Sequence, residues 1–411
     1  MRYDFDRVTD RRNTNSAKWD RMGQLFGRDD LIPMWVADMD FPCPEPVVQA
    51  LKDRAGHPIY GYSVPSDGLY EAIIDWCQRH YGWQVKREWI VFTAGVVNGL
   101  YSVIRAFTHP GDEVVVQPPV YYPFSAAVRN TGCQVVKNNL LFVDGRYEMD
   151  FDQLESLFRP VSTFPARSPR IKMLVLCSPH NPVGRVWSRG ELSRLADICL
   201  KNKCILVSDE IHCDLMLGGS RHVATATLSP EVEQGTITLL AVSKTFNLAG
   251  LSTSYAVIPD PDWRRRFVEL RAGCSSGNLF GYAAMEAAYR SGDEYLEQLL
   301  AYLNGNLGYF AGRLAAEMPE LKLVRPEGTY LAWVDFRALG LGTAGLRDFV
   351  RNEARLALDD GYAFGPGGEG FMRVNLACPR SLVKEGLDRL GRALGARRAG
   401  GAGPVAADPP R

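Results

Sequence analysis

Between residues 85 and 260, short apolar runs alternate with stretches whose apolar positions recur at helical spacing. The apolar runs fall at 89–92, 113–117, 171–177, 204–207, 237–242 and 254–258. They lack the in–out alternation of a half-exposed strand and read as strands buried on both faces. Helical periodicity marks 46–54, 69–81, 96–107, 189–201 and 262–271. Strands and helices in this alternation predict a parallel, right-handed α/β unit. From about residue 290 the pattern changes: long amphipathic helices run to about 318, and strand patterns follow at 321–324, 329–335 and 371–376. That is the signature of a smaller α+β domain, which a strand at 34–36 is expected to join. The expected organisation is an N-terminal arm and strand (1–45), a large α/β domain (46–288), a small α+β domain (289–394) and a Gly/Ala/Pro-rich tail (395–411) expected to be disordered.

Composition narrows the function classes. Lys+Arg and Asp+Glu both number 47 in 411 residues, so no charge excess points to nucleic acid or an anionic membrane. No uninterrupted apolar run is long enough to span a bilayer, and MRYDFDRVTD has neither a signal- nor a transit-peptide pattern, so a cytoplasmic protein is expected. The nine cysteines are scattered, several inside apolar runs, with no CxxC pair and no metal-ligand spacing among the six histidines. No metal and no required disulfide are expected.

Candidate chemistry sits where the apolar runs stop. The run at 204–207 ends in Ser208-Asp209-Glu210, and the run at 237–242 ends in Ser243-Lys244. Ligands of open α/β sheets bind outside the carboxyl ends of strands, so an acid and an amine are delivered to one place. A lysine in a partly apolar site loses its proton readily and can form a Schiff base, and a carboxylate can keep a pyridinium nitrogen protonated. Pyridoxal phosphate needs both; a structural ion pair would look the same at this level. Other strand ends add Thr93-Ala94-Gly95 before a helix, an anion-site pattern that is also an ordinary βα turn. They also bring Tyr121 within PPVYYPF and Asn181 between prolines. Arg373, inside the apolar FMRVNL, is costly unless paired, and suits either a carboxylate ligand or a buried Arg–Asp pair. Tyr60 and Tyr62 lie in a breaker-rich loop and mark a contact surface.

These residues carry a resemblance. Asn181-Pro-x-Gly, Ser208-Asp209-Glu210, Ser243-Lys244 with Asn247-x-x-Gly250, and Arg373 in x-R-x-N resemble fold-type I pyridoxal-phosphate enzymes of the class I/II aminotransferase superfamily. WVADMDF, YGYS, DEIHCDL, SKTFNLAGL, EGTYLAWVDFR and MRVNLACPR resemble its cystathionine β-lyase (C–S lyase) branch, which includes the maltose-regulon modulator. The resemblance implies an α/β fold with a mostly parallel central sheet sandwiched by helices, and a cofactor, pyridoxal 5'-phosphate. It implies that Lys244 bonds the cofactor carbonyl, Asp209 pairs with the ring nitrogen, Asn181 bonds the ring hydroxyl and Tyr121 stacks on the ring. Ala94, Gly95 and Val96, helped by Ser243, would hold the phosphate, with Tyr62 reaching it from a neighbouring subunit of a homodimer. Arg373 would bind the substrate carboxylate, with Asn181 and Ala37 beside it; Lys244, Tyr121 and Asp209 are the implied catalytic set.

Two positions depart from ordinary aminotransferases: His212 stands where they carry a tyrosine, and Ser252 where they carry a phosphate-binding arginine. Both departures fit the lyase branch. The implied activity is β-elimination of cysteine S-conjugates such as cystathionine. Alternatives are transamination, or sequestration of a transcription factor. No second arginine is evident in the sequence for a distal substrate carboxylate.

Overall fold

The computed structural model describes residues 2–159, 171–271 and 276–400. A seven-stranded sheet has the order Ile90–Thr93, Ser254–Val257, Thr236–Leu240, Ile205–Asp209, Ile171–Cys177, Glu113–Val116, Gln134–Lys137. Its middle strands are buried along nearly their whole length, as their continuous apolar runs require. Helices Val96–Phe107, Pro123–Asn130 and Arg189–Lys201 pack against it. The last of these starts on a capping box in which Ser188 and Glu191 bond each other's backbone N–H, the signal S-x-x-E carried by the sequence.

The central sheet is mostly parallel, as expected, and the parallel reading of 85–260 is corrected at one strand. Ser254–Val257 runs antiparallel to both neighbours. A parallel return needs a crossover, usually a helix, that carries the chain back to the sheet's starting edge. Residues 241–253 hold only the short helix Ala249–Leu251, so the chain emerges at the carboxyl edge and can only run back.

A second sheet has four strands in the order Lys322–Val324, Leu331–Asp335, Phe371–Asn375, Asp359–Asp360. The N-terminal strand also departs from expectation. Ile32–Pro33, not 34–36, pairs in parallel with Leu356–Ala357. Beyond Met34 the backbone leaves the ladder because side chains compete for its carbonyls: Arg373 bonds Trp35 O at 3.0 Å and Asn375 bonds Val36 O at 2.7 Å. The helix Arg380–Ala399 continues past residue 395, where a disordered tail was expected; residues 401–411 lie outside the described residues. Among the described residues no helix is long and apolar enough to cross a membrane.

Candidate active site

The carboxyl ends of the co-directed strands open onto a cavity of about 190 Å³. Asp209 is the last residue of its strand, and Lys244 follows the next strand by a short turn. Asn181 and Tyr121 arrive on loops after Ile171–Cys177 and Glu113–Val116. One bond ties these loops together: His180 Nε2 lies 2.9 Å from Pro119 O, which fixes the segment carrying Tyr121. Ala37, Ala94, Gly95, Val96, Tyr121, Asn181, Asp209, His212, Ser243 and Lys244 all border the cavity.

Burial sets the chemistry of the two charged groups. The Lys244 amine is lowered to about 8, first by burial and then by Arg373, while Asp38 and Asp209 pull it back up. Its Nζ donates to Ala37 O at 2.6 Å. Burial raises the Asp209 carboxyl to about 7, against the Ile211 N–H and Lys244, which favour its charged form. Among the described residues Asp209 is engaged through Oδ1, by Ile211 N at 3.1 Å, so the carboxylate has capacity for a cationic N–H. Tyr121 is pushed up to about 12 by burial and stays protonated at neutral pH. His212 is held well below its usual range by burial and by Lys244 and Arg373, and its Nδ1 has no partner among the described residues.

An anion cradle closes one end. The helix Val96–Phe107 starts at Gly95, whose φ of 94° few other residues tolerate, and no side chain caps it. Its first-turn N–H groups therefore stay available beside Ser243, Ser252 and Thr253. A carbonyl at Lys244, a cationic N–H at Asp209 and a phosphate at Gly95 are the three chemical demands this arrangement can meet.

Arg373 stands behind Asn181, donating Nη1 to its Oδ1 at 2.8 Å. The buried Arg–Asp pair considered from sequence is also present, since Nη2 bonds Asp359, its register partner on the neighbouring strand. Nε has no partner among the described residues, so part of the fork is free. Tyr62 is not brought to this cavity and is fully exposed.

Several residues were missed from sequence. Cys177, Asn98, Ile211 and Thr253 border the cavity; Cys177 was detectable as the last residue of its strand. Tyr330, whose OH bonds Ala37 O at 2.8 Å, and Asp359 carry no local signal because their partners are remote in sequence.

The sequence profile of the family "Aminotransferase class I and II" matches residues 29–390. Cystathionine beta-lyase PatB of Bacillus subtilis strain 168 is 43% identical over 95% of this chain and 99% of its own length. Protein MalY of Escherichia coli strain K12 is 32% identical over 96% of this chain and 100% of its own. Among solved structures, cystalysin from Treponema denticola, which contains a pyridoxal 5'-phosphate cofactor, superposes with a TM-score of 0.91 at 38% identity, covering 96% of this chain and 100% of that one. With the profile spanning most of its length and these relatives matched end to end, the chain belongs to the class I and II aminotransferase family.

Proposed function

We propose that this protein binds pyridoxal 5'-phosphate and catalyses β-elimination of cysteine S-conjugates such as cystathionine, giving a thiol (homocysteine), pyruvate and ammonia. The observation that carries the reading is the shared cavity: a buried amine of lowered pKa, a buried carboxylate and an uncapped helix start, with an arginine, its Nε unpartnered among the described residues, one hydrogen bond away. The 43% identical relative named a cystathionine beta-lyase supports the choice of elimination over transamination.

When bound, the cofactor supplies a carbonyl that joins an amine and a ring that takes up negative charge. Around it, Asp209 would keep a proton on the ring nitrogen, and Asn181 would donate to the ring hydroxyl. Tyr121 would stack on the ring, and His212 would line the same cavity. Backbone N–H groups of Ala94, Gly95 and Val96, with the Ser243 hydroxyl, would hold the phosphate. The Arg373 fork takes the substrate α-carboxylate beside Asn181 and Ala37, which orients the Cα–H bond toward Lys244. Lys244 Nζ, its proton already loosened by burial, removes the Cα proton. The Cβ–S bond then breaks, its electron pair leaves with sulfur, and Lys244 or Tyr121 returns a proton to the thiolate. The enamine left behind takes up water and yields pyruvate and ammonia.

Two structural proposals accompany the chemistry. The large domain spans 46–288 and the small one 289–394 with the N-terminal arm, a division supported by the separate seven-stranded and four-stranded sheets. The working unit is a homodimer in which Tyr62 of one subunit reaches the phosphate of the other. Support comes from the exposed apolar surface of Ile59, Tyr60, Tyr62 and Val64. A dimer by light scattering, with Tyr62→Phe weakening cofactor binding roughly tenfold, is the expected outcome; a monomer with full activity would exclude the shared site.

The activity is tested with purified holoenzyme and L-cystathionine. Equal yields of pyruvate and homocysteine are expected. Transfer of the amino group to an added keto acid, without pyruvate release, would overturn elimination in favour of transamination.

A further inference from the structure

Asp214 and Thr245 lie in the two stretches that carry Asp209 and Lys244, take no part in the chemistry above, and bond each other. Asp214 follows Asp209 within DEIHCDL, and Thr245 directly follows Lys244. The ladder that sets the two strands in register ends at Asp209↔Leu239, with one more backbone bond from Glu210 N to Leu239 O at 3.0 Å. Past that point both chains leave the ladder for tight turns. Cys213 N bonds Glu210 O and Leu215 N bonds His212 O on one side, while Phe246 N bonds Val242 O on the other. Lys244 thus lies beyond the reach of the sheet's own register.

One carboxylate closes that gap. Asp214 Oδ2 accepts from the Thr245 hydroxyl at 2.6 Å. Its Oδ1 accepts from Trp76 Nε1 at 3.1 Å and from the Tyr81 hydroxyl, both on the helix Asp67–Tyr81. Trp76 and Thr245 are fully buried, and Asp214 is 7% exposed. Burial, then the charge of Asp214, holds the Tyr81 phenol well above its usual range, so it remains a donor. The phenol also accepts from Cys213 Sγ at 3.0 Å and Trp76 Nε1 at 3.1 Å, which fixes its ring. Trp76 packs edge-on against Phe246, the ring centroids 5.7 Å apart. A single buried acid therefore ties a helix, the turn that carries His212 and the turn that carries Lys244. Hydrogen bonds to a carboxylate are among the stronger ones, and each of these is shielded from water.

We propose that Asp214 is a positioning residue for the elimination: through the Thr245 hydroxyl it holds the backbone at Lys244, so that the amine stays aligned with the cofactor carbonyl and the substrate Cα. The inference rests on the assignment of Lys244 to those two atoms. It adds a support for the lysine that the strand ladder does not supply.

The test uses holoenzyme and L-cystathionine under conditions where each variant is folded by far-ultraviolet circular dichroism. Thr245→Val keeps the volume and removes the donor. It is expected to lose roughly tenfold in kcat with KM within about twofold of wild type, since a shifted amine slows the reaction while the Arg373 fork is untouched. Its visible circular dichroism, which reports how the cofactor sits on the lysine, is expected to weaken while the visible absorbance is retained. Thr245→Ser, which keeps the hydroxyl, is expected to recover most of both. Asp214→Ala is expected to lose kcat as well, and adding Thr245→Val to it to cost no more, because the two changes break one bond. Wild-type kcat and visible dichroism in Thr245→Val, whatever its loss of stability in urea, would overturn the proposal. So would a Thr245→Ser variant as impaired as Thr245→Val, or Asp214 and Thr245 losses that multiply. Should Asp214→Ala fail to fold, the two Thr245 variants decide the matter. Should Thr245→Val fail, Thr245→Ala takes its place under the same criteria. A wild type with neither visible absorbance nor pyruvate release would instead sink the role of Lys244, and its support with it.

Discussion

The floor and the roof of the site are built by different physics. The floor is the carboxyl edge of the large sheet, where Asp209 and Lys244 are set by strands hydrogen-bonded in register, Ser208↔Thr238 and Asp209↔Leu239. The roof is the segment 35–41, which leaves its ladder and is held by side chains borrowed from elsewhere: Arg373 on Trp35 O, Asn375 on Val36 O and Asp38 O, Tyr330 and Lys244 on Ala37 O, and Asn247 on Met39 and Phe41. A floor made of backbone ladders fixes reactive groups rigidly. A roof made of individual side-chain bonds can be loosened one bond at a time, and one of those bonds, from Lys244, involves the reactive amine itself.

The sharpest way to break the floor is Lys244→Ala. It is expected to lower kcat by about 10⁴-fold or more in a pyruvate assay and to remove the visible absorbance of the holoenzyme. Next comes Arg373→Leu, which deletes the carboxylate fork and leaves half-buried Asp359 without its cation. A fall in kcat/KM of about 10²–10³-fold is expected, measured against an unchanged absorbance that shows the floor intact. Asn247→Ala probes the roof by removing its three bonds to Met39 and Phe41. A loss of about 1–3 kcal/mol in urea unfolding is expected, because backbone groups are left unpaired, with retention of the absorbance of the floor.

The pH-dependent effect is the most diagnostic of burial. The folded-state pKa of Asp209, about 7, lies above the 3.8 usual for an aspartate. Its contribution to the stability of the cofactor-free protein is therefore present below about pH 4 and lost as pH rises through 7. Asp209→Asn, which never ionises, should be more stable than wild type above pH 7 by on the order of a few kcal/mol, with the gap closing toward pH 4. Saturating cofactor should stabilise wild type more than the variant. A pH-independent gap in urea titrations would mean that Asp209 is not desolvated.

The same contrast explains what the sequence disclosed. Strand ends are legible because a buried strand must be an apolar run, and the residues that stop it are conspicuous; Asp209, Lys244, Asn181 and Gly95 were all found that way. The direction of Ser254–Val257 was not legible, since an apolar run looks alike in either sense. Nor was the departure of residues 35–36 from the ladder, where Trp-Val has strand propensity but Arg373 and Asn375, far along the chain, take the carbonyls. The Arg11–Asp38 pair was hidden for a related reason: in a polar arm, a charge that will pair with a residue 27 positions on reads like one that will face water. The helix Pro123–Asn130 and the hairpin Leu141–Val143 with Arg146–Glu148 carry too few apolar positions to stand out.

The most direct measurement of the central claim, that the buried amine at the sheet edge is the group that bonds the cofactor, is borohydride reduction of the holoenzyme followed by peptide mass mapping. The expected result is a single pyridoxyl adduct on the peptide containing Lys244, absent when L-cycloserine is added first to compete for the carbonyl. An adduct on any other lysine, or no adduct from a protein that still cleaves cystathionine, would contradict it.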